Sequence, residues 1–333
     1  MINLTITMEK PRLRYFDLIS GLFMIQIIVV HVLQFSGNID NVFYTSIIHV
    51  SFFFMPWFYF KSGYFYSPQK IETNLYLRDK FKKLLLPFFI FAIIGFLLSF
   101  PFELIASNRP IGRILLTPVY AILRWGNGGD GNLPIWFLLS LFFSIIGFNV
   151  LNRYRIQWLI IVFPLLGYAL YYFKITLPLG LSNIFLAMIF LYGGNVYKTK
   201  IEQSRFSTTI IWLSAGIYLI NEIFCFSSLD MRTNALTTGY YFVYIFSAFC
   251  GTILMYCLGK KVDFIKPLNY VGENSMAYFV VHWPILILIK NLMERFSFKT
   301  TGLVYAGILS TVFLILPFCV SLLNGKLKFL IGK

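Results

Sequence analysis

Long apolar runs, each bounded by charged residues or by proline and glycine, recur along the whole 333-residue chain. An apolar run of about 20 residues is long enough to cross the hydrocarbon core of a bilayer as an α-helix. The pattern therefore predicts an all-α protein, a polytopic bundle of about ten transmembrane helices that forms a single domain over residues 1–333. The predicted spans are 18–35, 42–60, 84–100, 134–151, 157–173, 178–197, 208–226, 240–258, 273–291 and 302–322.

The first predicted span is apolar but carries several polar side chains. Ser20, Gln26 and His31 lie within it, and Asp17 directly precedes it. At about 100° per residue, Ser20 and His31 fall within about 20° of each other on the helix, and Asp17 lies within about 40° of His31. A titratable imidazole inside a membrane is costly unless it faces a wet cavity or a partner, so His31 is a candidate functional residue.

The ninth predicted span is the second polar helix. Ser275, Tyr278 and His282 follow the spacing i, i+3, i+7 and therefore share one face. A core histidine that is hydrogen-bonded to a neighbouring helix would also explain His282. The depths of His31 and His282 in their spans are similar, which predicts one cavity between the first and ninth helices, with the two rings less than about 15 Å apart.

Composition and charge agree with a membrane protein and orient it. Hydrophobic residues make up 58% of the chain and charged residues 12%, with a formal net charge of +15. Most of the 28 lysines and arginines fall in segments that lie on one side if the N-terminus is cytoplasmic, because cations are retained on that side. Both termini are therefore expected in the cytoplasm. The positive balance also suits anionic lipid headgroups and does not require a nucleic acid partner.

A basic run precedes the third predicted span, and it has two interpretations. Arg78, Lys80, Lys82 and Lys83 lie within six residues of one another. Retention of cations on the cytoplasmic side explains the run by itself, but several cations beside a cavity would also hold an anion.

The four cysteines lie in predicted spans without CxxC or metal-ligand spacing, so they are expected to pack as small apolar residues, and no metal site is expected.

Four stretches of the chain together resemble acyltransferase family 3, a family of integral-membrane O-acyltransferases, and especially its bacterial surface-polysaccharide branch. The stretches are YFDLISGLFMIQIIVVH, FYFKSGYFY followed by KFKKLLLPF, LPIWFLLSLF, and NYVGENSMAYFVVHWP. The resemblance implies transfer of an acyl group, usually acetyl, from cytosolic acetyl-CoA to a sugar hydroxyl of a glycan or its lipid-linked precursor. It also implies a bacterial plasma membrane location and acyl-CoA as cosubstrate, with no bound cofactor.

The resemblance also implies roles for particular residues. His31, His282 and Asp17 would act in catalysis, with His31 as a general base or as a nucleophile that carries the acyl group. Asp17 would act indirectly, by orienting His31 or by pairing with a cation such as Arg14, because about 21 Å of helix keeps it from touching His31. Trp136 and Tyr278 would line the reaction cavity. The remaining donor-side candidates are Ser20, Arg14, Lys61, Ser62, Arg78, Lys80, Lys82 and Lys83.

One position departs from the pattern of the family. Its members typically carry an arginine, ten residues and then the histidine, whereas this chain has Ser20 at the arginine position. Arg14 or Lys61 could supply the missing charge.

A lipid-linked sugar flippase or a polysaccharide polymerase is the competing functional class. Such proteins are expected to place several cations within their spans or in large outer loops along the glycan path. Nearly all cations of this chain lie in predicted loops, and the polar groups in its spans are mainly histidine, serine and tyrosine. The distribution favours the acyltransferase.

The predicted topology places Lys200 in the cytoplasm and Asn127 on the opposite side of the membrane. Single cysteines introduced at these two positions should therefore react with a membrane-impermeant thiol reagent from opposite sides, with Lys200→Cys labelled only after the membrane is opened. Labelling of both positions from the same side would contradict the orientation.

Overall fold

The protein is an almost entirely helical bundle. In the computed structural model, the described residues are 12–37, 40–67, 73–205, 207–296 and 302–333. The segment 1–11, which is expected in the cytoplasm, lies outside them. The helices are α1 Arg14–Phe35, α2 Val42–Ser51, α3 Phe54–Tyr64, α4 Thr73–Lys80, α5 Leu86–Ala106, α6 Ile111–Trp125, α7 Trp136–Arg153, α8 Phe163–Tyr172, α9 Ile184–Val196, α10 Ser207–Phe224, α11 Tyr241–Val262, α12 Lys266–Glu273, α13 Ser275–Arg295, α14 Leu303–Leu309 and α15 Val312–Asn324.

Eight helical segments in the described part of the chain are long and apolar enough to cross a membrane. Two shorter apolar helices, Gln157–Tyr172 and Thr208–Phe224, coincide with the fifth and seventh predicted spans. The all-α multi-pass architecture is thus confirmed, while a count of ten and the orientation of the termini remain predictions. The eight segments are Arg14–Phe35, Val42–Tyr64, Leu75–Ala106, Leu133–Arg153, Pro178–Ile201, Tyr241–Val262, Ser275–Arg295 and Val304–Asn324.

Two elements appear where the apolar pattern predicted only connections. The helix α6 buries Ile114 and Ala121 and exposes most of its other apolar side chains, which is typical of a helix that lies along a membrane interface. A short antiparallel hairpin joins strands β1 Ser228–Asp230 and β2 Ala235–Thr238 between α10 and α11. Both are too short to register in a search for spans.

The first helix, α1, is the most enclosed of the long helices, and it is fixed by very close contact with α12. A Cβ atom at Gly21 would lie 1.9 Å from the carbonyl oxygen of Leu268, and one at Gly272 would lie 1.7 Å from that of Asp17. Small residues allow such backbone approach between helices in a membrane. The side-chain amide of Asn269 adds a hydrogen bond of 2.8 Å to the carbonyl oxygen of Arg14. The position of α1 is therefore set by backbone atoms of α12.

Replacing Gly272 with alanine should separate α1 from α12, because no flexible side chain can move out of the way of the new methyl group. We expect Gly272→Ala to lose about 1–3 kcal/mol of stability, the usual cost of overpacking. Gly216→Ala in α10 is the matched control, since a Cβ there meets nothing within 4 Å. Thermal unfolding of both variants in detergent measures the difference, and equal midpoints would contradict the contact.

Candidate active site

Two histidines from α1 and α13 lie side by side within the bundle. The ring centroids of His31 and His282 are 5.4 Å apart, and their planes are inclined by only 17°. The predicted proximity of the two residues is confirmed, because helices that run through the same depth of the bundle present them to each other. Their chemical roles depend on what each ring nitrogen contacts.

The ring of His31 is held by two side chains. Its Nδ1 lies 2.9 Å from Oε1 of Gln34, whose Nε2 donates a hydrogen bond of 3.1 Å to the hydroxyl of Tyr44. Since the amide nitrogen of Gln34 is engaged with Tyr44, its oxygen faces His31 and accepts from Nδ1–H. The edge of Trp283 packs at 90° to the imidazole, with 4.8 Å between centroids. Nε2 of His31 is therefore the nitrogen that keeps its lone pair.

His282 is fully buried behind His31. Its Nδ1 donates to the carbonyl oxygen of Phe279 at 2.7 Å and approaches that of Tyr278 at 3.3 Å. Its Nε2 has no hydrogen-bond partner among the described residues. Buried polar atoms usually have a hydrogen-bond partner, and a catalytic role is one explanation for an atom that has none. Both imidazoles are therefore anchored through Nδ1 and keep Nε2 as a free acceptor.

A cavity of about 610 Å³ opens beside His31, and we call it the histidine cavity. Its volume is in the range of small-molecule sites. Trp136 lines it, as the sequence predicted, whereas Tyr278 and His282 do not. The side chain of Tyr278 packs in the core, and the next residue, about 100° further around the helix, takes its place in the wall. The lining residues used below are Phe54, Met55, Trp136, Phe279 and Trp283.

The hairpin between α10 and α11 contributes a polar wall to the histidine cavity. Asp230 and Arg232 line it, with Nη2 of Arg232 3.6 Å from Oδ2 of Asp230. Sequence reasoning missed both residues because they follow a predicted span and belong to no apolar pattern. The polar cluster in the stretch DMRTN was the available signal.

A second cavity, of about 360 Å³, is lined by lysines, and we call it the basic cavity. Lys61, Ser62 and Lys80 line it, so the structure brings three of the predicted donor-side residues together. Arg78, Lys82 and Lys83 are exposed and are not among its lining residues. Nζ of Lys83 instead pairs with Asp79 at 2.7 Å. The lining also includes Phe58, Tyr66, Tyr76, Phe137, Leu141 and Ser275.

Lys61 lies beside Ser20, the position at which the family pattern has arginine. Its Nζ donates a hydrogen bond of 2.8 Å to Oγ of Ser20 and lies 3.9 Å from Oδ1 of Asp17. Nε1 of Trp57 also donates to Oγ of Ser20, at 3.2 Å. Arg14, the other candidate, is exposed and stacks on Phe264 instead. The structure therefore selects Lys61 over Arg14 as the cation beside Ser20.

Asp17 belongs to the basic end of α1 and not to the histidine pair. It accepts hydrogen bonds from Nε and Nη2 of Arg12, at 2.5 and 3.1 Å, and not from Arg14. The hydrogen bond that the Arg12 guanidinium donates to Asp17 raises the pKa of Arg12 above its ordinary value. Fourteen residues of helix separate Asp17 from His31, which is about 21 Å. Direct participation of Asp17 in chemistry at His31 is thus excluded, and Arg12 is a contributor that sequence reasoning did not identify.

The site has two chemically different ends that α1 and α3 join. Ser20 at the cationic end and His31 at the imidazole end are eleven residues apart on α1, about 16 Å.

No group of three or more histidine, cysteine or acidic residues suited to a metal ion occurs in the described part of the chain, and Cys225, Cys250, Cys257 and Cys319 are all free thiols.

Comparison with known families places these features in context. A family model described as an acyltransferase domain matches residues 13–322, nearly the whole chain. The chain belongs to acyltransferase family 3. The match favours an acyltransferase over a glycan flippase or polymerase, and it includes both histidines and both lysines of the site. No curated protein and no solved structure matched the chain. This member of acyltransferase family 3 is a multi-pass membrane acyltransferase.

Proposed function

We propose that this family member transfers an acetyl or similar short acyl group from cytosolic acyl-CoA to a sugar hydroxyl. The acceptor is a cell-surface glycan or its lipid-linked precursor, at the plasma membrane of a bacterium. The observation that carries the proposal is the pairing of a lysine-lined cavity with an imidazole-lined cavity along one helix. A donor with an anionic head and a reactive end some distance away matches that arrangement.

The basic cavity supplies the donor end of the site. The head of acyl-CoA carries phosphates, and lysine ammonium groups bind phosphate as compact positive charges. Lys61 is held by Ser20 and Asp17, so its ammonium is positioned before any ligand arrives. Lys80 lies in the same cavity wall. The thioester arm would then run parallel to α1 towards the histidines.

The histidine cavity supplies the chemistry. A sugar hydroxyl is weakly acidic and needs a base to remove its proton as it attacks. Nε2 of His31 takes that proton, the hydroxyl oxygen bonds to the thioester carbonyl carbon, and the carbon–sulfur bond breaks. The departing thiolate receives the proton from the imidazolium, so the products are the sugar ester and free CoA thiol. The hydrogen bond from Nδ1–H to Gln34 keeps Nε2 available for this step.

The same lone pair also suits nucleophilic attack by His31 on the thioester, and an acyl-histidine species trapped without acceptor would select that route. His282 does not line the cavity, and its ring stacks on His31 from behind, so it acts as a positioning residue for His31.

The acceptor would enter from the polar side of the histidine cavity. Tyr44, Asp230 and Arg232 offer donors and acceptors for hydroxyl groups, while Trp136 and Trp283 offer aromatic faces. Trp283 also borders a third cavity of about 550 Å³, which would accommodate neighbouring parts of a glycan. Aromatic walls with a few placed polar groups are the usual composition of small-molecule sites.

Release of free thiol tests the proposed reaction. Purified protein is given acetyl-CoA together with surface glycan from the host cells that has been stripped of O-acyl groups by mild alkali. We expect acceptor-dependent thiol release, reduced by about 10² or more in His31→Ala, the scale for loss of an acid-base group. His49→Ala is the matched control, because His49 is exposed and stacks on Phe226 away from the histidine pair. Near-normal turnover of His31→Ala would remove His31 from catalysis.

The two sets of basic residues should differ in their effect on the donor. We expect Lys61→Met and Lys80→Met each to raise the KM for acyl-CoA by about tenfold, the value of one charged hydrogen bond. Lys82→Gln and Lys83→Gln should change it by about twofold or less, since these side chains lie at the surface. The effect should fall on KM more than on kcat, as for loss of uniform binding. Equal effects from both sets would contradict the assignment of the donor to the basic cavity.

A further inference from the structure

The basic cavity and the histidine cavity are neighbours along three helices. On α3, Phe54 and Met55 line the histidine cavity, and Phe58 and Lys61, one and two turns later, line the basic cavity. The helices α7 and α13 likewise contribute residues to both cavities. On α7, Trp136 lines the histidine cavity and Phe137 lines the basic cavity. On α13, Phe279 lines the histidine cavity and Ser275 lines the basic cavity. The walls of the two cavities therefore adjoin at one level of these three helices.

Three phenylalanines lie at that level, one from each helix. The rings of Phe58 and Phe137 meet edge to face with centroids 5.9 Å apart, and those of Phe137 and Phe279 meet edge to face at 5.6 Å. Phe58 and Phe137 face the basic cavity, and Phe279 faces the histidine cavity. We call these three side chains the phenylalanine partition. Phe137 is its central member, since it touches both of the others.

The helices around the partition are fixed, but its rings are not anchored by polar contacts. The hydroxyl of Tyr59 on α3 donates a hydrogen bond of 2.8 Å to Oγ of Ser140 on α7. The hydroxyl of Ser140 in turn donates one of 2.7 Å to Oδ1 of Asn183. The rings of the partition have only dispersion and aromatic contacts, each pair contributing about 0.5–1.5 kcal/mol. Side-chain rotation of Phe137 is therefore much cheaper than movement of its helix.

We propose that the phenylalanine partition is the gate through which the thioester arm reaches His31, and that Phe137 sets the longest acyl group that the enzyme transfers. The proposal rests on the proposed function, in which the donor head is held at Lys61 and the reacting carbon lies at His31. About 16 Å of helix separates these ends, and the partition lies between them. An acyl group must pass the rings and fit beside them.

The acyl-length profile of thiol release tests the gate with acetyl-, butyryl- and hexanoyl-CoA as donors. Phe137→Ala should raise the hexanoyl-to-acetyl ratio of kcat/KM by about tenfold or more, because one methylene in an apolar pocket changes discrimination by about 10-fold to 200-fold. Phe137→Trp should lower it. Phe190→Ala is the control, since Phe190 is a fully buried phenylalanine on α9 that packs on Phe249 and lines neither cavity.

Two further measurements separate the possible failures. Inhibition by 3′-phosphoadenosine 5′-diphosphate, the head of CoA without its arm, should be unchanged in every variant because it reports on donor-head binding alone. Phe58→Leu replaces Phe137→Ala if that variant inserts poorly, and it should shift the ratio in the same direction. If the wild-type protein is active with acetyl-CoA but Phe137→Ala and Phe58→Leu have the same acyl-length profile as the wild type, the gate is overturned and the proposed function is not. A wild-type protein that releases thiol from no acyl-CoA would overturn the proposed function and the gate with it.

Discussion

The backbone contact between α1 and α12 is the constraint on which the rest of the site depends. The helix α1 carries both Ser20, which contacts Lys61 of the basic cavity, and His31, which stacks on His282 of α13. Because Gly21 and Gly272 allow peptide groups of the two helices to touch, α1 has almost no freedom to tilt or slide. A rigid α1 keeps the cationic end and the imidazole end about 16 Å apart and at constant orientation.

Several polar groups of the first transmembrane helix are tolerated because they have a defined partner. Ser20 donates to the carbonyl oxygen of Phe16 and accepts from Lys61, and the side chain of Gln26 donates to the carbonyl oxygen of Ser51. Hydrocarbon offers no water to replace such contacts. Nε2 of His282 is an exception within the described residues, and it lies next to His31. This unpaired acceptor lies behind His31 and outside the wall of the histidine cavity.

The sequence revealed those features that depend on position along one helix. Apolar runs identified the spans, and depth within two of them brought His31 and His282 together, since both arguments need only the rise and the rotation per residue. Pairing between helices was not accessible in this way. The choice of Lys61 over Arg14, the exposure of Lys82 and the exclusion of Tyr278 from the cavity depend on side-chain direction and on how α1, α3 and α13 pack together. The hairpin wall was missed because it has no apolar periodicity.

The serine at the position of the family's arginine is compatible with the same packing. Lys61 projects from α3 onto α1, and its ammonium reaches Ser20 and Asp17 at once. An arginine on α1 in place of Ser20 would bring a second cation against Lys61 in a partly buried space, where like charges repel strongly. Serine instead accepts a hydrogen bond from the ammonium group and occupies little volume. In this chain the positive charge at the level of Ser20 therefore comes from α3, the helix that also carries Phe58 and lines both cavities.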